Sequence, residues 1–199
     1  MLEYIPGELA HRPVNAEGYL FIHCVFVGFK KGFKQKGYAS ALLKECINEA
    51  KQQNRRGVAV VTRKGSFMSD NNIFLKHRFE IVGKASPDFQ LLALRFNEDL
   101  IIPSFKSHIT ENKDIKQKGL VIMRSVQCPY IEKNVNAILE TAQKKYNLTA
   151  KLIDLKNPES VQQAPCAFGS FCMIYNGEVI SHHPISNTRF ENMMNKLLR

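Results

Sequence analysis

The sequence has no Cys-x-x-Cys pair, and its five cysteines are an odd number. That combination argues against a disulfide framework and against a zinc site. No run of about 18 consecutive apolar residues is present, and no charged-then-apolar leader opens the chain, so membrane spanning and secretion are not expected. The expected location is cytoplasmic, where the Asn147-Leu148-Thr149 sequon carries no meaning. Tryptophan is absent, and acidic residues are scarce, 18 against 28 lysines and arginines, leaving a formal charge of +10. Such an excess suits a nucleic acid, an anionic membrane surface or an anionic cofactor equally well. A nucleic-acid surface would interleave aromatics with the lysines, and Phe29 and Phe33 are too few for that, so this partner is not expected. Neither Gly-x-x-x-x-Gly-Lys-Ser/Thr nor Gly-x-Gly-x-x-Gly occurs, which excludes the P-loop and the dinucleotide fingerprint.

What is present is a strand, a basic glycine-bearing loop and a helix in succession. YLFIHCVFV at 19–27 is almost uncharged and rich in β-branched and aromatic residues, as a strand buried on both faces would be. Ala39, Leu42, Leu43, Cys46, Ile47 and Ala50 follow the spacing of a single apolar helical stripe, which predicts a helix beginning near Gly37. The lysines at 30, 31, 34 and 36 alone would read as a solvated run. Beside a glycine and a helix N-terminus, with its unpaired N–H groups and positive dipole end, they suggest a phosphate or pyrophosphate site.

The hexad Lys34-Gln35-Lys36-Gly37-Tyr38-Ala39 resembles the Q/R-x-x-G-x-G/A signature by which GNAT-type N-acetyltransferases hold the pyrophosphate of acetyl-CoA. Lysine stands at the first position and alanine is the permitted small residue at the last. GVAVVT at 57–62 reads as the next strand. NNIFLKHRFEIVG at 71–83 is similar to the family's short helix leading into a strand through "FYEKxGF", and QLLALRF at 90–96 reads as the last strand. Residues 1–103 therefore resemble the acyl-donor half of that family. EYIPGELAHRPV and the downstream segments resemble the subgroup with a YoaP-type C-terminal domain. The chain departs from the family in two residues and in length: Phe74 stands where many members have the tyrosine thought to protonate the leaving thiolate, Arg78 replaces the glycine of "GF", and only about 18 residues precede Tyr19. The acceptor wall is thus expected to be short, and a homodimer could complete it.

Between Asn97 and Lys118 the sequence loses periodicity, carries Pro103 and alternates charged with polar residues, the pattern of a linker, which is placed at 104–118. From 119 onward a second unit is expected. GLVIMRS and KLIDL read as strands, and Ile131, Val135, Ile138, Leu139, Ala142 and Tyr146 keep helical spacing. Two apolar runs flank Asn176-Gly177, a hairpin signal, and a closing helix follows from about Ser186. This β-α-β then β-β-α order resembles a thioredoxin-like domain, so the whole is read as α/β (α+β), a GNAT-like mixed sheet followed by a small thioredoxin-like unit at 119–199. Cys128-Pro129-Tyr130-Ile131 occupies the place of a thioredoxin Cys-x-x-Cys without its resolving cysteine. The place of the thioredoxin cis-proline is Gly169. Cys166 and Cys172 could resolve Cys128 only within disulfide reach.

The resemblance implies acetyl transfer from acetyl-CoA to an amine acceptor. Val25, Phe26 and Val27 would offer backbone groups to the pantetheine arm. Gln35, Lys36, Gly37, Tyr38, Ala39 and Ser40 would hold the pyrophosphate, with Lys34 and Lys36 adding charge. Candidate catalytic residues are His23 and Cys128; the general base and acid are unassigned, and no metal is expected. Phe26, Phe67 and Phe74 are candidates for the cleft wall or the core, and Cys24 and Cys46 read as packing. His182 and His183, being adjacent, point to opposite faces and do not pair for a metal. The alternatives are a non-catalytic acyl-CoA or phosphate-ligand module and a monothiol redox protein using Cys128.

Overall fold

The computed structural model describes every residue except 29, 34, 66, 98–100, 112–114, 128, 129 and 199, and at 31, 130 and 133 the backbone alone. Phe29, Lys34 and Cys128, singled out above, therefore lie outside the described residues. The chain forms two compact units, Met1–Ala10 with Val14–Thr110 and His11–Pro13 with Glu111–Arg199.

The first unit is built on a five-stranded sheet. Its strands are β1 (Leu2–Pro6), β3 (Tyr19–Val25), β4 (Gly57–Thr62), β5 (Glu80–Ala85) and β6 (Phe89–Arg95), in the order β1-β3-β4-β6-β5. Only β3 and β4 pair in parallel; the other neighbours are antiparallel. Every residue of β4 is buried, which is why GVAVVT reads as a continuous apolar run rather than an alternating one. The crossover between the parallel strands contains α1 (Tyr38–Gln52). Leu43, Cys46 and Ala50 of α1 pack on Leu20, Ile22, Val58, Val60 and Leu92 of the sheet. Burying a leucine side chain in such a core contributes roughly 1.5–3 kcal/mol. The short helix α2 (Asn72–Lys76) closes the same core with Phe74, whose ring meets Phe79 edge-on at 5.5 Å.

Two short strands, β2 (Val14–Asn15) and β7 (Ser104–Phe105), pair antiparallel, and α3 (Ser107–Thr110) follows. The first part of the stretch expected as linker is thus ordered structure of the first unit. Phe105 and Ile109 are buried, the Phe105 ring packing over Gly83. Two buried apolar residues in a polar string are too few to produce a readable period.

The second unit has the sheet order β11-β10-β8-β9, with β8 (Leu120–Arg124), β9 (Lys151–Asp154), β10 (Phe171–Tyr175) and β11 (Glu178–Ser181). β8 and β9 are parallel and the other pairs antiparallel. α4 (Tyr130–Tyr146) links β8 to β9. α5 (Pro158–Gln162) precedes β10, and α6 (Asn187–Leu197) closes the unit. The elements follow the β-α-β then β-β-α order expected, with α5 as an addition to it. Asn176 and Gly177 both have positive φ, 49° and 89°, the type I′ turn that this dipeptide favours. α4 meets α6 through Tyr146, which lies edge-on to Phe190 at 6.1 Å and donates to Asn195 Oδ1 at 2.8 Å. No helix of the described residues is long and apolar enough to cross a membrane.

Candidate active site

β3 and β4 pair from Tyr19 with Gly57 to Ile22 with Val60 and no further, although β3 runs on to Val25 and β4 to Thr62. Their outer edges stay bonded: Leu2 of β1 remains opposite Val25, and Gln90 of β6 remains opposite Thr62. The two parallel strands therefore part from each other while each is held by its other neighbour. Backbone polar groups on the facing edges beyond Ile22 and Val60 lack the ladder that would satisfy them. Val25 and Val27 beside the opening are half-buried, and Phe26 is exposed, its N–H donating to Met1 O at 2.9 Å.

Thr62 was not anticipated from the sequence. Alternation along β4 puts its side chain on the α1 face with Val58 and Val60. Its hydroxyl is buried and has no hydrogen-bond partner among the described residues. A buried hydroxyl without a partner costs about 1–3 kcal/mol, which makes it a candidate for satisfaction by a ligand. A threonine ending an apolar strand is common enough that the sequence carries no signal for it.

The loop ahead of α1 contains two left-handed residues, Gln35 (φ 58°) and Gly37 (φ 78°). Gly37 caps α1 without any side-chain bond; its own carbonyl accepts from Ala41 N–H at 2.9 Å. The N–H groups of Tyr38, Ala39 and Ser40 are among those that an α-helix leaves without an intrahelical partner. A Cβ built at Gly37 would meet nothing within 4 Å, so the space in front of the helix is open. Lys36, Gly37 and Tyr38 are exposed, and Ala39 and Ser40 half-buried. The loop thus offers an anion a positive helix end and exposed backbone donors.

The other candidates lie elsewhere. The His23 side chain is only 1% exposed, with Nδ1 3.7 Å from Glu3 Oε1 and the ring edge-on to Phe21 at 5.3 Å. It shares the Phe21 face of β3, away from α1. Phe74 is core, whereas Phe26 and Phe67 are exposed. Cys46 is fully buried, and burial pushes its thiol up to about 12. Arg78 has φ 66° and ends α2, with Phe79 N–H donating to Phe74 O at 3.1 Å: arginine occupies the left-handed position where the family pattern has glycine.

A second feature of this unit is an open cavity of about 450 Å³ lined by Lys51, Lys76, His77, Arg78, Arg95 and Phe96 among others. Lys51 lies 14 residues past Gly37, or roughly 21 Å along the axis of α1, so the cavity is separate from the loop and the parted strands.

A parallel pair opening beside a glycine-capped helix is an arrangement suited to a thioester with a phosphorylated tail, as acetyltransferases require. The family model described as YoaP-like matches residues 150–192. Over 198 residues the chain is 31% identical to "Uncharacterized N-acetyltransferase YoaP" of Bacillus subtilis (strain 168), covering 98% of this chain and 77% of that protein. A crystal structure from Agrobacterium tumefaciens, named for an acetyltransferase, is 20% identical at a TM-score of 0.32. It covers 40% of this chain and 58% of that one, a likeness too slight to add to the argument. The chain belongs to the YoaP-like N-acetyltransferases, and it is an acetyltransferase enzyme.

Proposed function

We propose that the protein transfers the acetyl group of acetyl-CoA to a primary amine in the cleft of its first unit. The observation that carries this reading is the parting of β3 and β4 beyond Ile22 and Val60 while both keep their outer partners.

Acetyl-CoA would bring the activated thioester. The backbone at Val25 and Val27 would hydrogen-bond the pantetheine amides along the strand edge facing the opening, in place of the missing ladder; Phe26, expected to share that role, instead gives its N–H to Met1 O at 2.9 Å and its carbonyl to the Met1 ammonium at 2.8 Å, on the β1 side. The amides of Gln35 to Ser40 would hold the pyrophosphate at the N-terminus of α1, with Lys34 and Lys36 adding charge. The Thr62 hydroxyl, on the α1 side of the opening, would find its partner in the bound arm. Positioning and polarisation of the thioester carbonyl would then supply most of the acceleration. The amine nitrogen attacks the carbonyl carbon, the thiolate leaves, and the ammonium proton passes to water. Position 74 gives the leaving thiolate no proton, since phenylalanine has none and its ring is in the core.

The test is release of free CoA thiol from acetyl-CoA in the presence of a panel containing a polyamine, an aminoglycoside, a peptide with a free N-terminus and a lysine peptide with a blocked one. Calorimetric titration of acetyl-CoA accompanies it. Saturable binding with amine-dependent thiol release supports the reading; absence of saturable binding overturns it.

A further inference from the structure

The second unit contains a cluster that acetyl transfer does not use. Cys166 and Cys172 flank the tight loop entering β10 and are 2% and 0% exposed. The Cys172 thiol donates to the Cys166 sulfur, and His182, just past β11, bonds the same sulfur from the other strand of the hairpin. The Phe168 backbone supplies a further bond to it. Cys166 Sγ also lies 3.2 Å from Phe171 O, a contact that would suit a thiol. Burial favours the thiol as well; the bond from Cys172, followed by those from His182 and the Phe168 backbone, acts the other way and holds the Cys166 thiol below its usual range.

The loop between the cysteines is held in place. Arg12, 3% exposed, donates to Ser170 Oγ at 3.1 Å and to His11 O at 2.9 Å, and lies over the Phe168 ring at 4.7 Å. Gly169, at φ 71°, presses against this segment so closely that a Cβ there would come within 2.9 Å of His11 O. Two sulfurs in hydrogen-bond contact, fixed by a braced loop and joined by an imidazole, are an arrangement for thiol chemistry. Among the described residues no group of three His, Cys, Asp or Glu converges on a metal position. Burial of both sulfurs also selects the oxidant, because only a molecule near the size of water could reach them without the unit opening.

We propose that Cys166 and Cys172 form a peroxide-reactive dithiol, in which hydrogen peroxide oxidises Cys166 and Cys172 then closes an intramolecular disulfide. In the first step the Cys166 thiolate attacks one peroxide oxygen; an S–O bond forms, the O–O bond breaks and hydroxide leaves, giving a sulfenic acid. In the second, the Cys172 thiol attacks that sulfur; the S–S bond forms, the S–O bond breaks, and the departing hydroxide takes the thiol proton as water. The sulfurs together lose two electrons, the peroxide gains two, and the products are one disulfide, one water and one hydroxide. Exchange with a low-molecular-weight thiol, which reaches the disulfide when the unit opens, returns the pair to the reduced state.

The test treats the reduced full-length protein with a small molar excess of hydrogen peroxide, blocks remaining thiols under denaturing conditions and maps peptides by mass spectrometry. The expected result is loss of two thiols per chain and a Cys166–Cys172 crosslink, reversed by dithiothreitol and retained in Cys128→Ser. Cys172→Ser should lose the crosslink and leave Cys166 one oxygen heavier, with Cys172→Ala as the alternative should the serine variant fail to fold. Recovery of both cysteines as free thiols overturns the proposal, as does a crosslink of either one to another cysteine. The outcome is independent of acetyl-CoA binding, so it stands or falls apart from the reading of the first unit.

Discussion

Replacing Gly37 with aspartate, and separately with asparagine, isolates the charge at the N-terminus of α1. The two side chains have nearly the same size and both tolerate left-handed backbone, so they share the cost of φ 78°, about 1–2 kcal/mol for a residue bearing a Cβ. Neither meets an obstacle, since a Cβ at 37 has no neighbour within 4 Å. In the free protein the aspartate recovers about 0.3–1 kcal/mol from the helix dipole, so it should melt no lower than the asparagine variant. With ligand the order reverses. A carboxylate roughly 5 Å from a phosphate opposes it by about 1–3 kcal/mol for effective dielectric constants between those of water and a protein surface. At about 1.4 kcal/mol per tenfold, the Kd for acetyl-CoA should be between about fivefold and 140-fold weaker in Gly37→Asp than in Gly37→Asn. The assay is calorimetric titration of both variants at low and high salt, the gap narrowing as salt screens the exposed loop. Equal Kd values for the two variants would refute the placement of the pyrophosphate at Gly37.

Thr62→Val should raise the melting temperature of the free protein, because it removes a buried hydroxyl without a partner worth about 1–3 kcal/mol, while weakening acetyl-CoA binding; denaturation and calorimetry on the same samples check both signs. Arg78→Gly should stabilise the first unit by about 1 kcal/mol in urea denaturation, by relieving the left-handed backbone at the end of α2. At alkaline pH the first unit should lose stability. Burial raises the Cys46 thiol to about 12 from an ordinary 9.0, and the bond to Glu49 raises the Tyr4 hydroxyl to about 12 from 10.0. Both groups are favoured neutral in the fold, so their contribution is full below about pH 9 and is lost as pH rises towards 12. Cys46→Val should make the decline of the urea midpoint over this range shallower.

The elements legible in the sequence are those whose partners are local or whose pattern is long. The stripe of α1, the uniform apolarity of β4 and the Asn176-Gly177 turn each carry their own signal within a few residues. The apolar stripe put the start of α1 near Gly37, and the structure caps the helix at that residue; that the cap is left-handed was not read from the sequence. β1, β2 and β7 were not legible, because each is short and owes its existence to a partner distant in the chain: Leu2 to Val25, Val14 to Phe105. The parting of β3 from β4 was not legible either. It is a property of two strands at once, and the residues that part, His23 to Val25 and Val61 to Thr62, read like the paired ones before them.

The cysteine cluster shows how one residue of register decides chemistry. A regular two-residue hairpin would continue from Tyr175 opposite Glu178 and Ile174 opposite Val179 to Met173 opposite Ile180. The strands instead shift, and Met173 faces Ser181. A bulge of this kind moves every later position by one, so counting on past the last pair, at the end of β11, sets Cys172 level with His182 rather than with Ser181. That displacement brings an imidazole to sulfurs that the sequence had left as possible resolving partners of Cys128. The adjacency of His182 and His183 spoke only to whether the two would pair, and carried no information about which of them would reach the cysteines. Only the hairpin register decides that, and neither the turn residues nor the apolar alternation around them encode the bulge.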